Sequence, residues 1–258
     1  MDTKHTQYSK NQLADVICQL RFPEILSINT TPPADFQDQI RIQYPQFSTN
    51  HEVSPPKIVG IPGNMQVATQ PATVNYQFTS QDGNWRVNLT SKFISLSCAQ
   101  YTNWEAFAKQ LDAPLAAFIK IYMPAYFERI GLRYLNVISR IALGLDNLPF
   151  SFLFQPPYLG ILAQETVAER DTVRSSVDAE ASLAGGCHLK LHAGPGMICR
   201  NGMQDDEIKF IFDQDLFMPA NIPVNYAAGA LETLHDQAVP IFRAAITDTL
   251  HNAMEPQE

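Results

Sequence analysis

Four groups of side chains have the types and spacing to do chemistry. Cys187, His188, His192 and Cys199 carry the donor atoms that zinc prefers. On a strand, however, Cys187 and His188 point to opposite faces, and His188 and His192 stand about 13 Å apart. Zinc holds its ligand atoms within roughly 2.0 to 2.3 Å, so the histidines read as exposed face, the cysteine reads as core, and no metal is expected. Asp213 and Asp215 flank Gln214 on one predicted strand, and Asp178 and Glu180 stand two apart on another. Paired carboxylates bind divalent ions or exchange protons when a neighbour raises one pKa, which is the basis for reading a metal-assisted hydrolase here. Lys209 shares the face of Asp213, and His188, Lys190 and His192 make a basic stripe on the strand between them. Cross-strand charge pairing accounts for that pattern without chemistry.

The third group is Arg129, Arg133, Tyr134 and Asn136 on one predicted strand. Alternation puts Arg129 and Arg133 on the face of Leu135 and Val137, with Tyr134 and Asn136 opposite. An arginine on an otherwise apolar face needs an anion, supplied either by a protein carboxylate or by a ligand. These four are the candidate ligand-binding residues, and a small anionic ligand is the expected partner for them. The fourth group, His235 and Asp248, sits thirteen residues apart on the closing helix. That separation turns them about 140° apart around the axis, so they form no dyad. A nucleophile elbow, a Walker loop, a dinucleotide fingerprint and a His-Glu-x-x-His motif are all missing from the sequence, and no cofactor is expected. Gly194-Pro195-Gly196 reads as a turn, because its proline offers no N–H to a phosphate and no helix signal follows.

These residues need elements to hold them. Leu13 to Phe22 reads as a largely buried strand that stops at Pro23, and Thr31 before Pro32-Pro33 caps a short helix through Phe36 and Ile40. Phe47 to Gly63, with Pro55, Pro56 and Pro62, reads as an exposed loop. Val74, Tyr76 and Phe78 alternate into a turn at Asp82-Gly83, and Trp85, Val87 and Leu89 alternate out, which is a hairpin. Phe93 to Cys98 adds a strand. Thr102 and Glu105 form a capping box for a helix carrying Trp104, Phe107, Leu111, Phe118 and Tyr122 on one face, kinked by Pro114.

The second half restates this plan. Arg129 to Leu143 reads as a long strand, and Pro156-Pro157 opens a short helix through Tyr158, Ile161 and Leu162. Strands follow near Val173 to Leu183, Cys187 to Ala193 and Glu207 to Phe217, and a helix from Val224 to Met254 contains Pro240. The double proline recurs at an offset of 124 and the helix proline at 126, which points to two pseudo-repeats, about 13–125 and 126–254. The expected fold is therefore a single α+β domain, an antiparallel sheet with two long helices packed on one face in a helix-grip-like arrangement.

Several of these segments together resemble a known family. They are Phe78-Thr79-Ser80 with Asp82-Gly83, Tyr101 and Trp104-Glu105, the run Arg129-Ile130-Gly131-Leu132-Arg133-Tyr134-Leu135-Asn136, Asp213 and Asp215, His235, Phe242, Ile246-Thr247-Asp248 and Leu250. The likeness is to a sporadically distributed bacterial and archaeal family of about this length, and it spans about Leu13 to Met254. The resemblance implies one architectural unit. It brings no activity, cofactor or catalytic residue, and its patchy distribution implies genes that travel with mobile or defence cassettes.

Composition narrows the classes further. With 258 residues, 45% hydrophobic and 17% charged, the chain has the balance of a globular protein. Its net charge of −8 argues against a duplex nucleic acid or an anionic membrane as partner. A polar Met1 to Gln12 and no apolar run of about 18 residues predict a cytoplasmic protein without a membrane span. Four scattered cysteines predict reduced thiols. The function expected from all this is non-enzymatic: a module that binds a protein partner, as the regulatory or neutralising member of a defence or toxin-linked pair, with a small-ligand binder as the alternative.

Overall fold

Alternation at period two builds the sheet. In β1 (Leu13–Arg21) Val16, Cys18 and Leu20 are fully buried, whereas Asp15, Ile17 and Gln19 are only partly covered. The computed structural model describes residues 6–52, 57–61, 64–68, 73–200 and 203–257. After β1 come α1 (Leu26–Thr30), α2 (Ala34–Ile40), β2 (Gln46–Glu52), β3 (Lys57–Ile61), β4 (Asn64–Ala68), β5 (Thr73–Thr79), β6 (Trp85–Leu89), β7 (Phe93–Cys98) and α3 (Trp104–Tyr122). The chain continues through β8 (Phe127–Ile138), α4 (Arg140–Leu143), a run of short 3₁₀ turns, β9 (Val177–Ser182), β10 (His188–Gly196), β11 (Cys199–Arg200), β12 (Met203–Gln204) and β13 (Lys209–Ile222). It ends with α5 (Ala227–Ala245) and α6 (Asp248–Ala253).

Nine strands form one antiparallel sheet in the order β2-β5-β6-β7-β1-β8-β13-β10-β9. The register keeps one alternating set on a common face: Cys98, Val16, Tyr134, Gln214 and Leu191 lie side by side across five strands, and all are buried. The fold is thus mixed α and β with an antiparallel sheet, as the residue pattern predicts. α5 lies against β8 and β13, and α3 lies against β7 and α2. Among the described residues, no helix is long and apolar enough to cross a membrane.

Several boundaries differ from expectation, each for a local reason. The closing helix is broken: Ile246 is extended and bridges Phe154, and Thr247 then caps α6 by accepting the Leu250 N–H. The predicted strand from Arg129 to Leu143 ends at Ile138, because the Ser139 side chain accepts from the Ala142 N–H and starts α4. Helix α3 is capped by Asn103, one residue after Thr102, and it runs as one element through the buried Pro114. Helix α2 starts at Ala34 with no side-chain cap, so Thr31 does not serve as one. Part of the expected loop after Phe47 is structured, since β2 pairs with β5 and β3 pairs with β4. Pro55, Pro56 and Pro62 lie outside the described residues. Gly194-Pro195-Gly196 is strand, not turn, and pairs with Ile211, Phe210 and Lys209. Proline is tolerated there because β9 has already ended at the partner of Ala193, leaving an unpaired edge.

Under the second half of the sheet, Phe154 stacks on Phe210 at 3.8 Å between centroids, with Phe150 and Phe212 beside them, and all four are fully buried. Replacing Phe210 by Ala is expected to lower unfolding free energy by about 3–5 kcal/mol in urea titrations, through lost transfer energy plus the cavity left behind.

Candidate functional site

The structure divides the four candidate residues between the two sides of the sheet. Arg129 and Arg133 lie on the open face of β8, where carboxylates from β13 meet them. Arg129 Nη2 donates to both oxygens of Asp215 at 2.7 Å, and Arg133 Nε donates to Asp213 Oδ1 at 2.7 Å. Arg129 reaches Asp215 by lying across Gly131 and over the Phe217 ring, 4.5 Å from its centroid. A Cβ at 131 would collide with the guanidinium, so the glycine of this segment makes room for the ion pair. The ladder continues outward, with Lys190 on Glu180 at 3.0 Å and His192 Nδ1 on Asp178 at 2.8 Å. Asp213 and Asp215 are therefore held by arginines, and Lys209 pairs with Asp205. Among the described residues, no three His, Cys, Asp or Glu side chains are grouped to hold a metal ion. Cys187 is buried and Cys199 exposed, as separate thiols.

Tyr134 and Asn136 point the other way, into the core, where they open onto a cavity of about 580 Å³. Its floor is the middle of the sheet: Tyr134 and Asn136 from β8 and Gln214 from β13, all at most 5% exposed. Register places Gln214 directly beside Tyr134. One wall is the start of α3 with Tyr101 and Trp104, and another is α5 with His235, Ala238 and Phe242. Thr6, Gln7, Tyr8, Asn11, Gln12, Leu13 and Met254 line a further side. These terminal segments are tied together, since Ser9 N donates to Glu255 O, Lys10 N to Met254 O and Gln257 N to Gln7 O, all within 3.0 Å. Asn11 Nδ2 also donates to the Tyr101 carbonyl at 2.9 Å, fastening this strap to the α3 side.

Inside the cavity the aromatic groups are locked by contact. Trp104 and His235 stack with centroids 4.6 Å apart and planes 13° from parallel, and the Tyr134 hydroxyl meets His235 Nδ1 at 2.7 Å. Tyr101 stands edge-on to Tyr134 at 5.9 Å. Burial pushes the phenols of Tyr134 and Tyr101 well above the ordinary tyrosine value, so both remain neutral hydroxyls at physiological pH. The charged members of the lining are Glu105 and Arg243. Both are exposed at the rim, and Arg243 is bound to Asp248 at 2.9 Å.

Gln214, His235, Trp104 and Tyr101 belong to the cavity but not to the set chosen from sequence. Gln214 was readable as the odd member between two outward aspartates, because alternation must turn it into the core. His235 comes to Tyr134 from 101 residues away, which no local pattern announces. His235 lies on α5 and Asp248 on α6, so the angle reckoned around one continuous helix does not apply to them. No protein-family model matches the chain, and no curated protein matches it.

Two outcomes are expected. A double-mutant cycle on Arg129→Met and Asp215→Asn should give a coupling of about 1 kcal/mol that shrinks as salt is added, because the pair is only partly covered. His251, whose Nδ1 meets the Tyr8 hydroxyl at 2.9 Å, has its pKa lowered by burial and then by Arg243. Its unfolded form binds the proton more readily, so stability should rise with pH from that lowered value up to the ordinary 6.5, and His251→Asn should flatten the slope in pH-dependent urea denaturation.

Proposed function

We propose that this chain is a small-ligand-binding protein and that the cavity beneath the terminal strap is its site. The observation that carries the reading is the polar cluster of Tyr134, Asn136 and Gln214 on the buried face of the two central strands, where the same register positions elsewhere hold apolar side chains. A core fills such positions with hydrocarbon unless something polar is to be held, and about 580 Å³ lies within the range of small-molecule pockets. The arginines take no part, since carboxylates of the next strand occupy them on the opposite face.

The sheet order supports a duplicated origin for this arrangement. Reading outward from the centre, one side runs β1, β7, β6, β5 with β2 added at its edge, and the other β8, β13, β10, β9. Each side begins with its first strand, places its last strand next to it and then sends out a 19-residue helix, α3 or α5. In this reading two copies of one unit meet at the β1–β8 pair, the two long helices grip the same face, and the cavity lies on the seam between them.

A protein-binding role has weaker support. The edge strands β2 and β9 are short and polar, with Asp178 and Glu180 on β9, the composition that discourages strand addition. Differential scanning fluorimetry against a collection of neutral and charged aromatic fragments tests the cavity. Stabilising fragments are expected with the native chain and are expected to lose their effect in Ala238→Trp, which fills the space from α5. Equal shifts in both proteins would refute the site.

A further inference from the structure

Resting on that cavity reading, we propose that the ligand is a dipolar molecule, a peptide of two or three residues with free ends, whose ammonium group meets Glu105 and whose carboxylate meets Arg243. The cavity lining holds these two opposite charges, both exposed to water. Each has bonding capacity to spare. Glu105 forms no ion pair among the described residues, and Arg243 uses one nitrogen on Asp248, whose own side chain is 84% exposed.

The two charges stand at different ends of the cavity. Trp104, which precedes Glu105 at the start of α3, stacks on His235, and Arg243 lies eight positions after His235 on α5, about 12 Å further along the axis. Burial raises the phenols of Tyr101 and Tyr8, and each of them then feels a different charge. Glu105 adds to the rise at Tyr101, whereas Arg243 opposes it at Tyr8. Opposite charges at two ends set up a field along the space between them, and a ligand carrying the reverse pair is both held and oriented by it. A singly charged ligand satisfies one end only. Three extended residues span at most about 10 Å, which the lengths of a glutamate and an arginine side chain bring into range of both ends. Between the ends the lining offers the Gln7 and Asn136 carboxamides and the Thr102 hydroxyl, which can both donate to and accept from peptide units. The Phe242 ring beside them suits an apolar side chain.

Ala-Leu-Ala and Ala-Phe-Ala test this on the intact chain by titration calorimetry, each with free ends, with an acetylated N-terminus, with an amidated C-terminus and with both. The free peptides should bind best, and blocking either end should weaken them about threefold to fivefold, the effect of one part-exposed ion pair. Added salt should erode that advantage and leave the doubly blocked peptides unaffected. Glu105→Gln should abolish the cost of acetylation alone, and Arg243→Met that of amidation alone. The ranking in the native chain decides the matter even if a variant does not fold. Blocked peptides binding as tightly as free ones, or no binding by any peptide, would overturn the dipolar class, and the cavity reading would still stand on fragments whose effect Ala238→Trp abolishes. Peptide binding unchanged in Ala238→Trp would place the peptide outside the cavity and overturn the inference.

Discussion

The structure depends on one constraint: a nine-stranded antiparallel sheet buries a single face, and that face carries three polar side chains at its centre. Each strand must present its apolar alternates to the same side, since a slip by one residue would expose the whole set. Tyr134, Asn136 and Gln214 are placed by that same rule, so they are buried whether or not their polar atoms find partners. Tyr134 meets His235, and Asn136 donates to the Phe212 carbonyl at 3.4 Å. The Gln214 Oε1 is buried with no hydrogen-bond partner among the described residues.

The two faces treat polarity differently because water reaches only one of them. On the open face, opposite charges on β9, β10, β13 and β8 pair across strands, where solvent screening keeps each contact weak and tolerant. That face keeps register by charge alternation, and Gly131 supplies the clearance that Arg129 needs. On the core face the sheet presents phenol and carboxamide groups. Burial raises the Tyr101 and Tyr134 phenols and also pushes the Cys98 thiol up to about 11. Donors and acceptors of this kind select by hydrogen-bond geometry, whereas the charged members of the lining stay at the rim.

One side of the cavity comes from the ends of the chain. The strap pairs Tyr8 with Pro256, and Lys10 with Glu255 at 2.9 Å, across almost the whole length of the sequence. It rests on backbone hydrogen bonds together with Tyr8, Leu13 and the buried Met254, which pack against the core. The helices are fixed by buried stripes such as Phe107, Leu111 and Phe118 on α3 and Leu231, Leu234 and Ala238 on α5.

What the sequence by itself determined was periodicity. The hairpin at Asp82-Gly83, the central strands, the apolar stripes of α3 and α5 and the opposite facing of Arg133 and Tyr134 all follow from spacings of two or of 3.6, which each residue imposes on its neighbours. Tertiary structure decided whatever depended on a partner distant in sequence. Ile246 leaves its helix because Phe154 bridges it, Gly194-Pro195-Gly196 becomes strand because β13 pairs with it, and Arg129 and Arg133 are neutralised because the register of β13 brings Asp215 and Asp213 to them. The cavity is the strongest case. Its walls come from both halves and from both ends of the chain, and contacts that close across such separations leave no local pattern in any one segment.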